Sequence, residues 1–231
     1  MEHQYDIVET QGQNVGENYA NQNVVSLFGW GTSGYNHGAV CYQPWCTSST
    51  NSDYWVYGLS YYNLYNGNGQ ADWGYNAIAN GGNTENSGWR TLTQPEWHYI
   101  FINRNTTSDI RYAKATVNGV NGIILLPDNW AASTYALNST NIGYANFTTN
   151  TITAEDWANT LEANGAVFLP TAGWRDGTLP DHVGFQGFYW SSSYKSSDFV
   201  YYVSFHRESL LMDYDNSRCL GLSVRLVRNV E

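Results

Sequence analysis

The sequence predicts an α+β fold in one domain spanning residues 1–231, with two helices, small antiparallel sheets and extensive ordered loops. The chain contains 10 Trp, 19 Tyr, 8 Phe and 22 Gly, whereas charged residues make up only 13% of it. Aromatic residues favour strands and glycine disfavours helix interiors, so long helices are not expected. Two segments nevertheless carry helix start signals, and strand-like segments gather towards the carboxyl terminus.

Both predicted helices begin with a cap that is followed by an apolar stripe. Thr93–Glu96 has the pattern of a capping box, in which the first and last residues satisfy each other's backbone N–H groups. The second helix begins at Thr153–Asp156, and Gly165 is placed to end it in a left-handed conformation. The residues expected to face the core follow helical spacing: Trp97, Ile100, Phe101, Trp157 and Leu161.

Alternation and turn composition predict the strands. Thr116–Gly122 has the composition of a hairpin turn, and the apolar run Ile123–Pro127 after it is suited to a buried strand. In the loop-rich first 90 residues, Tyr54–Tyr57 and Tyr61–Tyr65 predict short strands. The remaining strand candidates are expected to contribute mainly to an antiparallel sheet near the carboxyl terminus: Ala166–Pro170, Tyr189–Ser192, Phe199–His206 and Leu222–Arg228.

Charge and hydropathy disfavour several classes of partner. The formal net charge is −10 with only ten Lys and Arg residues, so neither nucleic acid nor an anionic membrane is an expected partner. No apolar run approaches the roughly 20 residues that span a bilayer, so we expect no membrane insertion. The start of the chain, Met1–Asp6, lacks the basic and apolar regions of a signal peptide.

The three cysteines leave the redox compartment open. Cys41 and Cys46 are close enough in sequence for a disulfide that closes a small loop, which would leave Cys219 without a partner. Three free thiols are equally compatible with the sequence.

Six spaced motifs occur in order along nearly the whole chain: Phe28–Gly31, Asp72–Asn76, Thr91–Thr93 with Glu96–Trp97, Leu126–Trp130, Gly187–Ser193 and Ser223–Val227. Together they resemble the variable proteins of diversity-generating retroelements in gut bacteria and their phages. The resemblance implies a C-type lectin fold related to the formylglycine-generating enzymes. Related chains usually carry sequence upstream of the segment that Met1 opens, which supplies a first strand.

The resemblance also implies a variable region, which we place at residues 184–228. In this family, adenine-directed mutagenesis changes scattered positions while the frame between them is kept. The frame here includes Tyr189, Trp190, Phe205 and Arg218. Chemically mixed residues lie among the frame positions, and we expect these to bind ligand: Phe185, Gln186, Phe188, Tyr194, Lys195, Phe199, Ser204, His206, Glu208, Leu211, Asp213, Asp215, Asn216, Cys219, Leu220 and Leu222.

A single binding surface requires these side chains to converge, because affinity comes from a central cluster of contacts. We therefore expect ten of them to share one solvent-exposed face: Phe185, Gln186, Phe188, Phe199, Ser204, His206, Asp215, Cys219, Leu220 and Leu222. Core packing is the alternative for each apolar member. Trp73, Trp97 and Trp190 lie in scaffold motifs and are expected to be buried without any metal.

Catalytic and metal sites are weakly supported. The related formylglycine-generating enzymes use a pair of cysteines, whereas Cys219 is the only cysteine in the corresponding region. Asp213–Asn216 and Pro127–Trp130 offer oxygen ligands for calcium, but they lack the motifs of the sugar-binding lectins, and turn capping explains them equally well. Two of the carboxylates Glu208, Asp213 and Asp215 could form a glycosidase pair, although tolerant loop positions explain them more simply. The histidines show no zinc-ligand spacing.

The expected function is therefore non-catalytic binding of a ligand or receptor through a diversified surface. The partner expected is an extracellular protein or glycan, met on a cell surface or a phage particle, with no cofactor and no metal. A fixed-specificity glycan-binding adhesin or surface protein of the same fold is the main alternative, and a purely structural module is the third. If the surface is diversified, substitutions at Lys195, Ser204, His206, Asp213 and Asp215 should each change stability by only about 0.5 kcal/mol.

Overall fold

The structure is a computed structural model that describes residues 3–7, 27–66, 70–75 and 88–228. Within those ranges it combines two short helical segments with four small sheets, connected by long stretches of ordered loop. The chain therefore has a mixed, α+β architecture, as the sequence predicts.

The first helix, α1, spans Gln94–His98 and continues as a wider π-type turn over Tyr99–Asn103. The Thr93 side chain accepts a hydrogen bond from the Glu96 backbone N–H, and the Glu96 carboxylate accepts one from the Thr93 N–H at 2.8 Å. Trp97 and Phe101 are buried completely beneath the helix. The predicted capping box and apolar stripe are both confirmed.

The second helical segment begins with α2, Ala154–Asp156, and continues through Trp157–Leu161 to Asn164. The Thr153 hydroxyl caps it by accepting from the Asp156 N–H at 3.0 Å. Gly165 ends it with a φ of 86°, a left-handed conformation that glycine adopts without strain. Its predicted start, end and buried face are confirmed.

A four-stranded sheet forms next to the second helix. Its strands are β2 (Tyr112–Val117), β3 (Val120–Leu125), β4 (Thr151–Ile152) and β5 (Val167–Pro170), and they lie in the order β4-β2-β3-β5. Asn118 and Gly119 connect its central hairpin with φ values of 47° and 83°, and positive values at both positions are typical of a type I′ turn.

A three-stranded antiparallel sheet carries most of the predicted variable region. It comprises β8 (Gly187–Tyr194), β9 (Phe199–His206) and β10 (Ser209–Ser217), with β9 in the centre. The predicted bounds of β9 agree with the structure. The sequence did not predict β10, because a bulge between Leu211 and Tyr214 interrupts its alternation and its polar residues resemble a loop. A separate short hairpin pairs β6 (Trp174–Asp176) with β7 (Leu179–Asp181).

Two strand predictions are wrong, and a third is too long. The segment predicted as a strand at Tyr54–Tyr57 instead contributes to the tight helical turns Asn51–Tyr54 and Val56–Gly58, and Tyr61–Tyr65 forms no strand. The predicted closing strand Leu222–Arg228 shrinks to β11, Leu226–Val227, which pairs with β1, Arg90–Thr91. It is short because the residues before it bridge to different partners, including Phe28 and Tyr189.

The three-stranded sheet has apolar packing on both faces. Phe188, Trp190 and Tyr202 join a cluster around Trp30 on one face. On the other face, side chains such as Phe205 join a cluster that includes α1 and its Trp97. The predicted burial of Trp97 and Trp190 is confirmed. Trp73 is only partly buried, because its ring packs edge-on against Phe28 at 5.0 Å while part of it faces solvent.

Candidate functional site

The pairing register assigns each candidate side chain to a face of the sheet. Phe188 and Leu211 both pair with Ser204, and Tyr214 pairs with Tyr202. Paired residues point to the same side, so these five lie on one face, here named the Tyr202 face. The opposite side is named the Tyr201 face.

The candidate residues divide between these two faces. His206 and Asn216 lie on the Tyr202 face, whereas Phe199 and Asp215 lie on the Tyr201 face. Residues an odd number apart on a regular strand point in opposite directions, so Phe199 cannot share a face with Ser204. The expectation that all ten residues converge on one face is wrong.

Five of the sixteen candidates are buried, so the expectation that they lie at the surface is wrong for them: Phe188, Ser204, Cys219, Leu220 and Leu222. Phe188, Leu220 and Leu222 pack into the Trp30 cluster, because burial in this core removes their apolar side chains from water. Ser204 is covered by Gln186, whose Nε2 donates to the serine hydroxyl at 2.7 Å. The expected tolerance to substitution is consequently not retained for Ser204.

The other eleven candidates are at least partly exposed, and several of them lie on β10 or in the turn that precedes it. β10 is the edge strand of the sheet within the described ranges, so its side chains reach solvent along one border. These eleven side chains lie on both faces of the sheet and in its adjoining loops, and we name the set the β10-edge surface: Phe185, Gln186, Tyr194, Lys195, Phe199, His206, Glu208, Leu211, Asp213, Asp215 and Asn216.

Two parts of the β10-edge surface have defined contacts. Lys195 donates to Asp215 at 2.7 Å, and its ammonium lies 5.2 Å from the centre of the Tyr201 ring. Gln94 of α1 donates to Asp213. These exposed contacts order the side chains but contribute little stability.

A pocket of about 540 Å³ lies at the other end of the sheet, beside the β9–β10 turn. Four candidates line it together, although twenty or more residues separate the first two from the last two: Phe185, Gln186, His206 and Glu208. The remaining lining residues were not predicted as site residues, because most lie outside residues 184–228: Asn121, Asn146, Phe147, Thr148, His182 and Arg207. No local motif indicates them, since only the fold brings them to the turn.

Lys114 holds the pocket's hairpin against the four-stranded sheet. Its fully buried side chain donates to the carbonyls of Gly143 at 2.5 Å and Ser209 at 3.0 Å, and also to the carbonyl of His206. The ammonium lies 5.4 Å from the centre of the Phe147 ring. Burial lowers its pKa to about 8, so the charged form still predominates at neutral pH.

Lys114 is expected to make stability depend on pH. The folded protein releases its proton near pH 8, whereas the unfolded chain keeps the proton up to the ordinary pKa of 10.5. Between these values the unfolded chain binds more protons, so the free energy of unfolding rises with pH. In chemical denaturation, the free energy of unfolding of the wild type minus that of Lys114→Met should rise by about 2 kcal/mol from about pH 8 to about pH 10. A difference that stays constant or shrinks would contradict this role.

Cys41 and Cys46 form a disulfide, which decides between the two possibilities left by the sequence. Cys219 is a buried free thiol in the same cluster, beside Cys41 and Tyr54. It is therefore a packed residue with other cysteine sulfur nearby, not an isolated cysteine at an exposed position. Burial raises the pKa of the Cys219 thiol, which favours the less reactive protonated form.

Two buried arginines fix the loops around the sheet. Arg218 donates to the carbonyls of Ser60 at 2.8 Å and Ser196 at 2.9 Å, and its guanidinium lies 5.1 Å from the centre of the Trp30 ring. Arg175 similarly bonds loop carbonyls. The frame beneath the candidate surface is therefore held by buried polar contacts as well as by apolar packing.

Over the described residues, no group of three or more His, Cys, Asp or Glu side chains is arranged to hold a metal ion. Glu208 pairs with Arg207 at 2.7 Å, which gives this carboxylate an intramolecular partner. In the same part of the chain, no helix is both long and apolar enough to cross a membrane.

Comparison with known proteins gives one partial similarity. Residues 126–227, a little less than half of the chain, match a protein-family model described as Domain of unknown function (DUF8237). The matched range contains the three-stranded sheet and every pocket residue except Asn121. No curated protein and no solved structure shows a significant match. Over these residues the chain is therefore similar to that family.

Proposed function

We propose that this protein is a variable protein of a diversity-generating retroelement, built on a C-type lectin fold, and that it binds a ligand without catalysis. Its partner is an extracellular protein or glycan, and its place is a cell surface or a phage particle. The six ordered motifs support the family and the fold. The α+β architecture is compatible with that fold.

One observation carries the proposal: more than half of the frame positions in residues 184–228 are buried, whereas most of the mixed positions reach solvent. Tyr189, Trp190, Phe205 and Arg218 of the frame are all buried. Eleven of the sixteen mixed positions are at least partly exposed. A fold that varies its surface needs this division, because substitutions in a packed core are costly whereas exposed positions tolerate them.

The frame is also locked in place by specific contacts. Trp190 donates from its indole N–H to the Phe28 carbonyl at 2.7 Å, and its own carbonyl accepts from the Trp97 indole at 3.2 Å. A rigid frame of this kind supports recognition because less side-chain and loop freedom is lost on binding. The aromatic side chains of the β10-edge surface, Phe185, Tyr194 and Phe199, provide large contact area at a small entropic cost.

Two matched libraries test the proposal. One randomises the eleven positions of the β10-edge surface, and the other randomises the five buried candidates. Per substituted position, members of the first library are expected to lose much less stability in protease resistance and thermal melting than members of the second, since exposed changes cost about 0.5 kcal/mol each and buried ones several times more. Most members of the second should lose structure. The first library should also yield binders when displayed and selected against an arbitrary soluble protein.

Equal losses of folding in the two libraries would contradict the proposal, because the β10-edge surface would then be structural. Failure to select any binder from a well-folded first library would contradict the binding function itself.

A further inference from the structure

We infer that the pocket beside the β9–β10 turn binds a neutral saccharide unit. The inference rests on the proposed function, because Phe185, Gln186, His206 and Glu208 belong to both the pocket and the β10-edge surface. Its volume of about 540 Å³ suits a small ligand. The chemical class follows from the pocket's aromatic platform, its free polar groups and its lack of net charge.

Phe185 supplies the platform. Its side chain lines the pocket and is 76% exposed, one of the highest values for a large apolar residue in the described part of the chain. The C–H face of a pyranose can cover such a ring and remove its apolar area from water. Phe147, by contrast, is already buried beneath the Lys114 ammonium, so it forms a wall and not a second platform.

Hydrogen-bond donors and hydrogen-bond acceptors line the same pocket as this ring. Asn146 uses its side-chain oxygen to cap Thr148, which leaves its NH₂ group as a donor without a described protein partner. Gln186 uses its NH₂ group on Ser204, which leaves its oxygen as an acceptor among the described contacts. Glu208 has one carboxylate oxygen engaged by Arg207, which leaves the other as an acceptor among the described contacts. Sugar hydroxyls both donate and accept, so they match this mixture.

The formal charges of the pocket cancel when its two lining histidines, His182 and His206, are counted as neutral at pH 7. Arg207 donates to Glu208 through Nε at 3.0 Å and Nη2 at 2.7 Å, so its guanidinium is already engaged by a carboxylate. The Lys114 ammonium is enclosed by three carbonyls and does not line the pocket. A phosphate or an acidic sugar would need an available cation, and a basic ligand would need an unpaired carboxylate. A neutral ligand needs neither an available cation nor an unpaired carboxylate.

The pocket walls are held in position before any ligand arrives. Asn121 donates to the Gly184 carbonyl at 3.0 Å, which fixes the loop that carries Phe185. Lys114 fixes the hairpin through the carbonyls of His206 and Ser209. Asn146 caps the short helical turn Phe147–Thr149. A preorganised site loses less entropy when it binds a small ligand.

Saturation-transfer NMR on the full chain tests the inference. The neutral probes are the methyl glycosides of glucose, galactose, mannose and N-acetylglucosamine, and the anionic probes are N-acetylneuraminic acid and inorganic phosphate. At least one neutral glycoside should bind the wild type more tightly than either anion. Phe185→Ala should weaken that binding at least about tenfold, since the platform is lost. Tyr99→Ala, an exposed aromatic residue outside the pocket, should leave binding unchanged.

Both altered side chains are exposed, so circular dichroism and melting temperature should show that the two variants remain folded. The inference is overturned if no neutral glycoside binds, if an anion binds more tightly, or if Phe185→Ala binds as the wild type does. Any of these results leaves the two-library test of the β10-edge surface intact. If the library test fails but the wild type still binds a neutral glycoside, the proposal of a diversified surface is contradicted and the inference of a saccharide pocket is kept.

Discussion

Replacing Arg175 with Met is expected to lower the free energy of unfolding by about 3 kcal/mol or more, because one buried and two partly buried loop carbonyls lose this donor at once. Arg175 is fully buried and donates to the carbonyls of Leu27 at 3.1 Å, Gly177 at 2.8 Å and Cys46 at 2.7 Å. Urea denaturation measures the loss. Arg207→Met is the matched control, since that side chain is exposed.

Gly221→Ala should reproduce much of the Arg175→Met effect. A Cβ at position 221 would lie 2.3 Å from Cγ and 2.4 Å from Nε of Arg175, so the arginine would have to move. The two changes together should cost less than the sum of their separate effects, because they disrupt the same contacts. If Arg175→Met costs no more than Arg207→Met, the buried guanidinium does not hold these loops.

Replacing Trp190 with Ala is expected to cost about 3 to 5 kcal/mol, the usual range for a large buried aromatic residue. Trp190 is buried between the sheet and the Trp30 cluster, and its indole N–H donates to the Phe28 carbonyl at 2.7 Å. Its removal leaves a cavity and takes away one of the two donors to the Phe28 carbonyl, which keeps its hydrogen bond from the Leu222 N–H at 3.0 Å.

Trp45→Ala provides the control for size, because Trp45 is 42% exposed. Thermal and urea denaturation should show a much smaller loss for it. Similar losses for the two tryptophans would indicate that the frame around Trp190 is not the stabilising centre of the sheet.

The features predicted well from sequence depend on short-range chemistry. Thr93 and Glu96 satisfy each other within one helical turn, and Asn118-Gly119 supplies the positive φ values that a tight hairpin needs. Such signals do not depend on what packs against the segment. The starts of both helices, the end of the second and the position of the central hairpin turn were therefore predicted nearly correctly.

The features predicted poorly depend on distant parts of the chain. β10 carries polar residues and a bulge, and its strand character comes from its pairing with β9. Tyr54 and Val56 have high strand propensity, but they lie in tight helical turns. Val56 packs in the Trp30 cluster, and Tyr54 packs beside the disulfide. In both places tertiary contacts override local preference.

The same limit applies to the site. Leu220 and Leu222 cannot be distinguished from surface positions by sequence, since only the core around Trp30 shows that they are buried. His182 and Asn146 reach the pocket from other segments, so a window over residues 184–228 cannot include them all. Exposure of charged and amide residues such as Lys195 and Gln186 was easier to predict, because such groups seldom lose water without a partner.

The DNA that flanks the gene provides the most direct test of the central claim. The proposal predicts a near-copy of the codons for residues 184–228 close to a reverse-transcriptase gene, with differences confined to adenines in the copy. Those differences should concentrate at codons of the β10-edge surface and spare those of Tyr189, Trp190 and Phe205, which are buried. Sequencing that finds no such copy, or finds differences spread evenly over buried and exposed codons, would contradict diversification of this surface.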